Sequence, residues 1–223
     1  MISWDVEMYD TDKDMPTKAQ SSNLNEELGG IHYIFSDKTG TLTQNVMEFK
    51  KFSVGDFCYG ESDPQVDVDK LKKDAITNVN FSDPHLEENL RNVSHPNFSN
   101  LHRFMEILSV CHTVIAEKAK NGTGSLVYNA SSPDELALVN AAKFFGYNFK
   151  GRDEDNNMLV EVNEDNEDIT ISGPVKQYAL LNVIEFTSTR KRMSVIVRDL
   201  QNETIRVMCK GADSIVIPRL RHL

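Results

Sequence analysis

The chain has 223 residues, of which 39% are hydrophobic and 26% charged, and a formal net charge of −10. That length holds one or two domains with a sizeable core. The acidic balance argues against a general nucleic-acid binder, whose footprint is basic, and no apolar run approaches the roughly 18 residues that cross a bilayer.

Met1-Ile2-Ser3-Trp4-Asp5 is not the basic-then-apolar opening of a secretory leader. Three cysteines, Cys58, Cys111 and Cys209, are odd in number and widely spaced, and read as reduced thiols. Six N-x-[ST] triplets begin at Asn80, Asn92, Asn97, Asn121, Asn129 and Asn202. In a reducing compartment they are by-products of Asn- and Ser-rich loops.

Residues 1–30 are a polar lead-in. Its acidic run of Asp10, Asp12 and Asp14 lacks the glycine and terminal glutamate of a calcium loop. The apolar run at 31–35 predicts a strand. It feeds Asp37-Lys38-Thr39-Gly40-Thr41-Leu42-Thr43, so that a carboxylate would sit at a sheet rim, where open α/β sheets place their chemistry.

From Asn45 the chain reads as extended, with Val46, Phe49, Phe52 and Val54 among polar residues. Residues 60–100 are rich in Asn, Ser, Asp and Pro. They predict an insertion or weakly ordered loop, with a short helical candidate over 68–79.

Leu101, Phe104, Met105, Leu108, Cys111 and Ile115 recur at helical spacing and predict a one-faced helix over 101–116. A Gly-containing turn follows at 121–125. A second helix opens at Ser132-Pro133-Asp134-Glu135, with Ser132 as N-cap, Pro133 at N1 and Glu135 completing a capping box. Gly146 suits its left-handed terminus.

The acidic stretch 151–173 predicts an exposed hairpin or loop, and 178–186 a strand. Alternation over 193–198 and 203–209 predicts a hairpin. Asp213 suits the cap of a last helix, which Pro218 should kink or cut short. No internal repeat is present. The expected architecture is α/β (α+β): an antiparallel sheet with packed helices, preceded by one strand and loop of another unit.

In the D-K-T-G string, Asp37 offers a nucleophilic oxygen able to form an aspartyl-phosphate. Lys38 and the loop amides can offset phosphate charge. Thr39 can hold phosphate through its hydroxyl and Mg²⁺ through its carbonyl, and Gly40 allows close backbone approach. Asp, Thr and Gly are also ordinary turn residues, but the seven-residue string is far more specific than D-x-T.

This string resembles the phosphorylation signature of the P-type ATPases, ion and lipid pumps built on a haloacid-dehalogenase-like fold. Residues 24–29 (L-N-E-E-L-G), 110–114 (V-C-H-T-V), 132–135 (S-P-D-E), 185–195 (E-F-T-S-T-R-K-R-M-S-V) and 210–213 (K-G-A-D) extend the resemblance to the type IV branch, the phospholipid flippases.

The resemblance implies phosphorylation of Asp37 by ATP, and ATP and Mg²⁺ as cofactors, with Asp37 and Thr39 toward the metal. Asp37, Lys38, Thr39, Glu135, Phe186 and Lys210 then contact the nucleotide. It further implies a phospholipid substrate and an accessory β subunit for a full-length membrane protein, of which this chain is a cytosolic, monomeric piece. The implied division is a lead-in at 1–30, the start of a phosphorylation domain at 31–44, and a nucleotide-binding domain at 45–223 with a variable loop at 60–100. The second Asp-rich Mg²⁺ motif of the family does not occur in the sequence, so the chain alone is expected to turn over no ATP.

Taken from the residues themselves, an aromatic face at Phe186 suits a flat purine as well as a core. Lys210-Gly211 after a strand suits either a nucleotide or a surface turn. Glu135 has a complete job as a capping residue, and that job is compatible with the nucleotide contact the resemblance implies. Arg190, Lys191 and Arg192 form the one dense basic spot and receive no specific role. His112 and Cys111 point about 100° apart on the expected helix and do not suit a catalytic pair. The alternatives are a cation-transporting P-type fragment and a non-catalytic nucleotide-binding module.

Overall fold

The computed structural model describes residues 6–11, 13–18, 25–60, 76, 78–118, 126–163 and 174–220. The chain divides into two compact units, residues 1–45 and 46–223.

In the first unit, β1 (Tyr9–Asp10) pairs antiparallel with β2 (Met15–Pro16), and Tyr9 donates its hydroxyl hydrogen to Asp14 across the turn. A single helical turn, α1 (Asn25–Leu28), follows. The strand expected at 31–35 is not formed: these residues lie outside any ladder, with Ile34 and Phe35 86% and 95% exposed. A strand needs a neighbour for its N–H and C=O groups, and none is present among the described residues.

The second unit is an antiparallel sheet with helices on one face. It opens with a short hairpin, β3 (Phe52–Val54) and β4 (Phe57–Tyr59). Around it Phe49, Tyr59, Phe81, Phe104 and Phe145 gather on Phe52, whose ring stacks on Phe104 at a centroid distance of 4.9 Å and 8°. The chain leaves β4 through Gly60 at φ +88°, where a Cβ would lie 2.4 Å from the Lys50 carbonyl oxygen. No L side chain fits there.

Two helices occupy parts of the expected loop at 60–100. α2 (Pro84–Arg91) is capped by Asp83, whose side chain accepts from the His85 N–H. α3 (Phe98–Val110) begins three residues before the predicted helix start. The helical candidate at 68–79 lies mostly outside the described residues, and Val79 forms an isolated bridge with Phe49.

α3 also ends earlier than expected, at Val110. The apolar spacing continues to Ile115, but Ile115 already belongs to β5 (Ile115–Lys118), paired with β6 (Leu126–Asn129). The break is at His112. Its Nδ1 accepts from the Val114 N–H at 3.1 Å and its Nε2–H donates to the Ser109 carbonyl at 2.9 Å. Cys111 lies buried beside it, its Sγ 3.7 Å from the Met208 carbonyl oxygen, and burial pushes its thiol up to about 11. The two therefore close the end of a helix and form no catalytic pair. Cys58 and Cys209, by contrast, are exposed thiols.

Burial lowers the His112 imidazole from 6.5 to about 4. The unfolded chain then takes up a proton that the folded chain refuses. Stability from the neutral ring is complete above pH 6.5 and declines as pH falls toward 4, by up to about 3 kcal/mol. Urea unfolding at pH 7.5 and 5 should show this loss, and His112→Gln should flatten it. Equal losses in both proteins would place the titration elsewhere.

α4 (Pro133–Phe144) follows Ser132, whose side chain accepts from the Asp134 N–H at 3.2 Å. Gly146, at φ +88°, ends it as expected. The main sheet has the order β11-β10-β9-β8-β7, antiparallel throughout. Its members are β7 (Tyr147–Arg152), β8 (Asn157–Val162), β9 (Val175–Ile184), β10 (Arg192–Asp199) and β11 (Thr204–Gly211).

β8 corrects the reading of 151–173 as exposed: Met158, Val160 and Val162 are buried. Residues 164–173 lie outside the described set. Leu101 and Met105 of α3 and Val139, Ala141 and Ala142 of α4 meet Phe149, Tyr178, Val195 and Val197 of the sheet, all essentially buried. Each large side chain so buried contributes about 1.5–3 kcal/mol of transfer free energy.

β11 presents the less apolar of its two faces inward. Its register with β10, Val197↔Arg206, Val195↔Met208 and Met193↔Lys210, turns Arg206, Met208 and Lys210 toward the helices. Ile205 and Val207, which alternation alone would place in the core, are 59% and 68% exposed. Arg206 joins the buried Glu106 at 2.6 Å and Asp199 at 3.1 Å, while Tyr178 donates its hydroxyl hydrogen to Glu106. Beyond β11, α5 (Asp213–Val216) is a single turn. Its N-cap is Ala212, one residue earlier than expected, and Pro218 sits in the 3-10 turn that ends it.

Candidate functional site

A cleft of about 670 Å³ opens at one end of the main sheet, between the start of α4, the loop after β9 and the end of β11. Its walls include Thr113, Ser132, Glu135, Phe186, Met193, Lys210 and Gly211. Segments more than seventy residues apart in sequence thus meet here.

Lys210 reaches the cleft because its register partner Met193 lies on the inner face of β10. Its Nζ sits 2.9 Å from Glu135 Oε1. The other carboxylate oxygen of Glu135 accepts from the Thr113 hydroxyl at 2.8 Å and the Thr113 N–H at 3.3 Å. Glu135 therefore does not complete a capping box. It closes a three-residue network and fixes the direction of Lys210.

Burial opposes ionisation of Glu135, but the hydrogen bond and charge of Lys210 outweigh it, with help from Thr113. The carboxyl group ends below its usual range. Lys210 has one of its three donors committed to this bond, leaving the others for an anion in the cleft.

Gly211 explains the K-G pair. A Cβ there would stand 2.5 Å from Arg192 Cβ and 2.6 Å from the Lys191 carbonyl oxygen. The strand end passes so close to its neighbour that only glycine fits.

Phe186 lies two residues past β9 and is 60% exposed at the cleft wall. An aromatic face open at a cleft wall suits a flat partner, which it binds by dispersion and offset stacking. The loop that carries it turns at Thr187, whose carbonyl accepts from the Lys191 N–H at 2.7 Å and whose hydroxyl accepts from the Arg190 N–H at 3.1 Å.

The structure thus brings Glu135, Phe186 and Lys210 into one cleft. Thr113 and Met193 join them; the sequence offers them only inside longer motif strings, with no spacing signal of their own.

Asp37, Lys38 and Thr39 belong to the other unit. There the Lys38 carbonyl accepts from the Leu42 N–H at 3.0 Å, the Thr43 N–H at 3.1 Å and the Thr43 hydroxyl at 3.2 Å, closing the loop on itself. Gly40 takes φ +78° at the bend. Asp37 is exposed, and its Oδ1 accepts from the Lys38 N–H at 2.7 Å.

Mg²⁺ asks for about six oxygens in near-octahedral array. The Asp37 carboxylate and Thr39 carbonyl supply too few, and among the described residues no group of three acidic, His or Cys side chains is placed to hold a metal ion. The donors present do not form a complete Mg²⁺ site.

An antiparallel sheet covered by helices on one face, with a cleft at its end, makes residues 46–223 an α/β domain. Residues 100–223 match the family P-type ATPase, cytoplasmic domain N, and the chain belongs to that family.

Among curated relatives, phospholipid-transporting ATPase IC of Xenopus tropicalis is 42% identical over 228 residues, covering 98% of this chain and 17% of that protein. The human protein of the same name is 39% identical over 234 residues, covering all of this chain and 17% of its own length. Phospholipid-transporting ATPase DRS2 of Saccharomyces cerevisiae is 41% identical over 229 residues, covering 99% and 15% respectively. The chain therefore spans about a sixth of the relatives it matches. No helix among the described residues is long and apolar enough to cross a membrane.

Proposed function

We propose that residues 46–223 bind ATP in the cleft, and that in a longer protein they deliver it to Asp37. The observation that carries this is the meeting of an exposed aromatic ring, Phe186, and an oriented cation, Lys210, on opposite sequence segments of one 670 Å³ cleft. The ring covers the adenine face. Lys210, held by Glu135 and Thr113, offers its remaining donors to the nucleotide. Thr39 and Lys38 receive the transferred phosphate beside Asp37.

The Asp37 carboxylate oxygen attacks the γ-phosphorus. A P–O bond forms, the β–γ bridging P–O bond breaks, and ADP leaves with the electron pair. The aspartyl-phosphate is later hydrolysed. This cycle drives phospholipid translocation in a full-length type IV pump with an accessory β subunit, located in the plasma membrane or an endomembrane. The support is the kinship with phospholipid-transporting ATPases over nearly the whole chain.

Calorimetric titration of ATP into the chain tests the cleft. Phe186→Ala should weaken binding by about tenfold, the value of roughly one base–aromatic stack. Unchanged affinity would remove Phe186 from the site.

A further inference from the structure

The loop 185–191 has no ladder of its own. The last β9–β10 register pair is Ile184↔Ser194, and the chain then departs to carry Phe186 to the cleft. What closes the base of this loop is a side chain. Arg190 Nη1 donates to the carbonyls of Ile184 at 3.2 Å, Glu185 at 3.0 Å and Arg192 at 3.3 Å. The first two immediately precede Phe186, and the third opens the returning strand. One guanidinium nitrogen thus ties the outgoing and incoming ends together where backbone pairing has stopped.

We infer that Arg190 is the positioning residue for the Phe186 ring, acting through the backbone and not on the phosphates. Its half-buried head is spent on carbonyl oxygens, which are acceptors suited to a charged fork. Lys191 takes φ +49° in the same turn, and its carbonyl accepts from the Ala212 N–H at 3.0 Å, so the loop is also fixed to the strand end bearing Lys210. Without the guanidinium, two free carbonyls beside Phe186 turn to water. The loop then samples many arrangements, and apparent affinity falls by the fraction that still presents the ring. The inference rests on the ATP reading of the cleft.

The test is calorimetric titration of the 223-residue chain with ATP and, separately, with tripolyphosphate. Arg190→Met should weaken ATP binding about tenfold and leave tripolyphosphate unchanged. In a Phe186→Ala background the same substitution should cost less than about twofold, since the ring it positions is gone. An equal loss in both backgrounds, or a loss that extends to tripolyphosphate, would assign Arg190 to the phosphates or to general stability and overturn the inference. Undiminished ATP binding by Arg190→Met would overturn it as well.

Should Arg190→Met fail to fold, Arg190→Lys decides. It should raise amide exchange at residues 185–189 and weaken ATP binding, and wild-type behaviour on both counts would sink the proposal. Absence of ATP binding by the wild-type chain would end the cleft reading itself and this inference with it.

Discussion

Glu106→Ala is expected to lower the stability of the 46–223 unit by about 3 kcal/mol, the lower end of what removing one partner of a buried ion pair costs. Glu106 is 7% exposed and accepts from Arg206 and from the Tyr178 hydroxyl. Tyr178 is fully buried, and burial together with the Glu106 carboxylate raises its hydroxyl well above the ordinary value. Without Glu106 the phenol has no acceptor at that position, and Arg206 keeps only Asp199. The lower end applies because the Arg206 side chain remains 34% exposed and recovers some hydration.

Urea unfolding should show the loss as a fall in midpoint at unchanged slope. Glu106→Ala combined with Arg206→Met should cost less than the sum of the two single changes, because the stranded cation is removed with its anion. Simple additivity would mean that Glu106 and Arg206 do not act as a pair.

The second large effect concerns phosphorylation. In a full-length protein carrying this chain, Asp37→Asn should abolish acid-stable labelling from γ-³²P-ATP. Asparagine keeps the shape and an oxygen able to accept from the Lys38 N–H, as Asp37 Oδ1 does at 2.7 Å. The loop closed on the Lys38 carbonyl should therefore persist. What disappears is the anionic oxygen that the proposed phosphoryl transfer needs for its new P–O bond. Labelling that survives at the wild-type level would move the nucleophile to another residue. Nucleotide binding in the cleft should be unaffected, which separates this outcome from a failure of the Phe186 titration.

The sequence is legible where one segment contains its own explanation. Ser132 and Pro133 start α4, Gly146 ends it, and the β10–β11 alternation with a polar turn declares a hairpin. Legibility failed where a distant partner decides. The apolar spacing runs on through Ile115, but His112 finds the Ser109 carbonyl and the Val114 N–H and stops α3. β8 hides in an acidic stretch because its inward residues are every second one and its neighbours are β7 and β9.

Glu135 illustrates the same limit at the candidate site. Its position three residues after Ser132 predicts a cap. The stronger attraction of Lys210, seventy-five positions later, and of Thr113 draws the carboxylate away. Phe186 and Lys210 were identifiable by motif resemblance, and their convergence on one cleft is visible only in three dimensions. Asp37 and Thr39 belong to the other compact unit, and sequence remains the basis of their assignment.

The inward face of β11 has a further consequence. Sliding β11 by one residue along β10 would exchange its faces. Ile205, Val207 and Cys209 would enter the interior, and hydrophobicity alone favours that arrangement. The slipped hairpin, however, would withdraw Arg206 from Glu106 and Asp199 and Lys210 from Glu135, leaving three buried carboxylates without their cations. At several kcal/mol for each uncompensated buried charge, that alternative is closed. The two cations thus act as keys for strand alignment: Arg206 and Lys210 select the pairing that opens the cleft, against a greasier competitor written into the same eight residues.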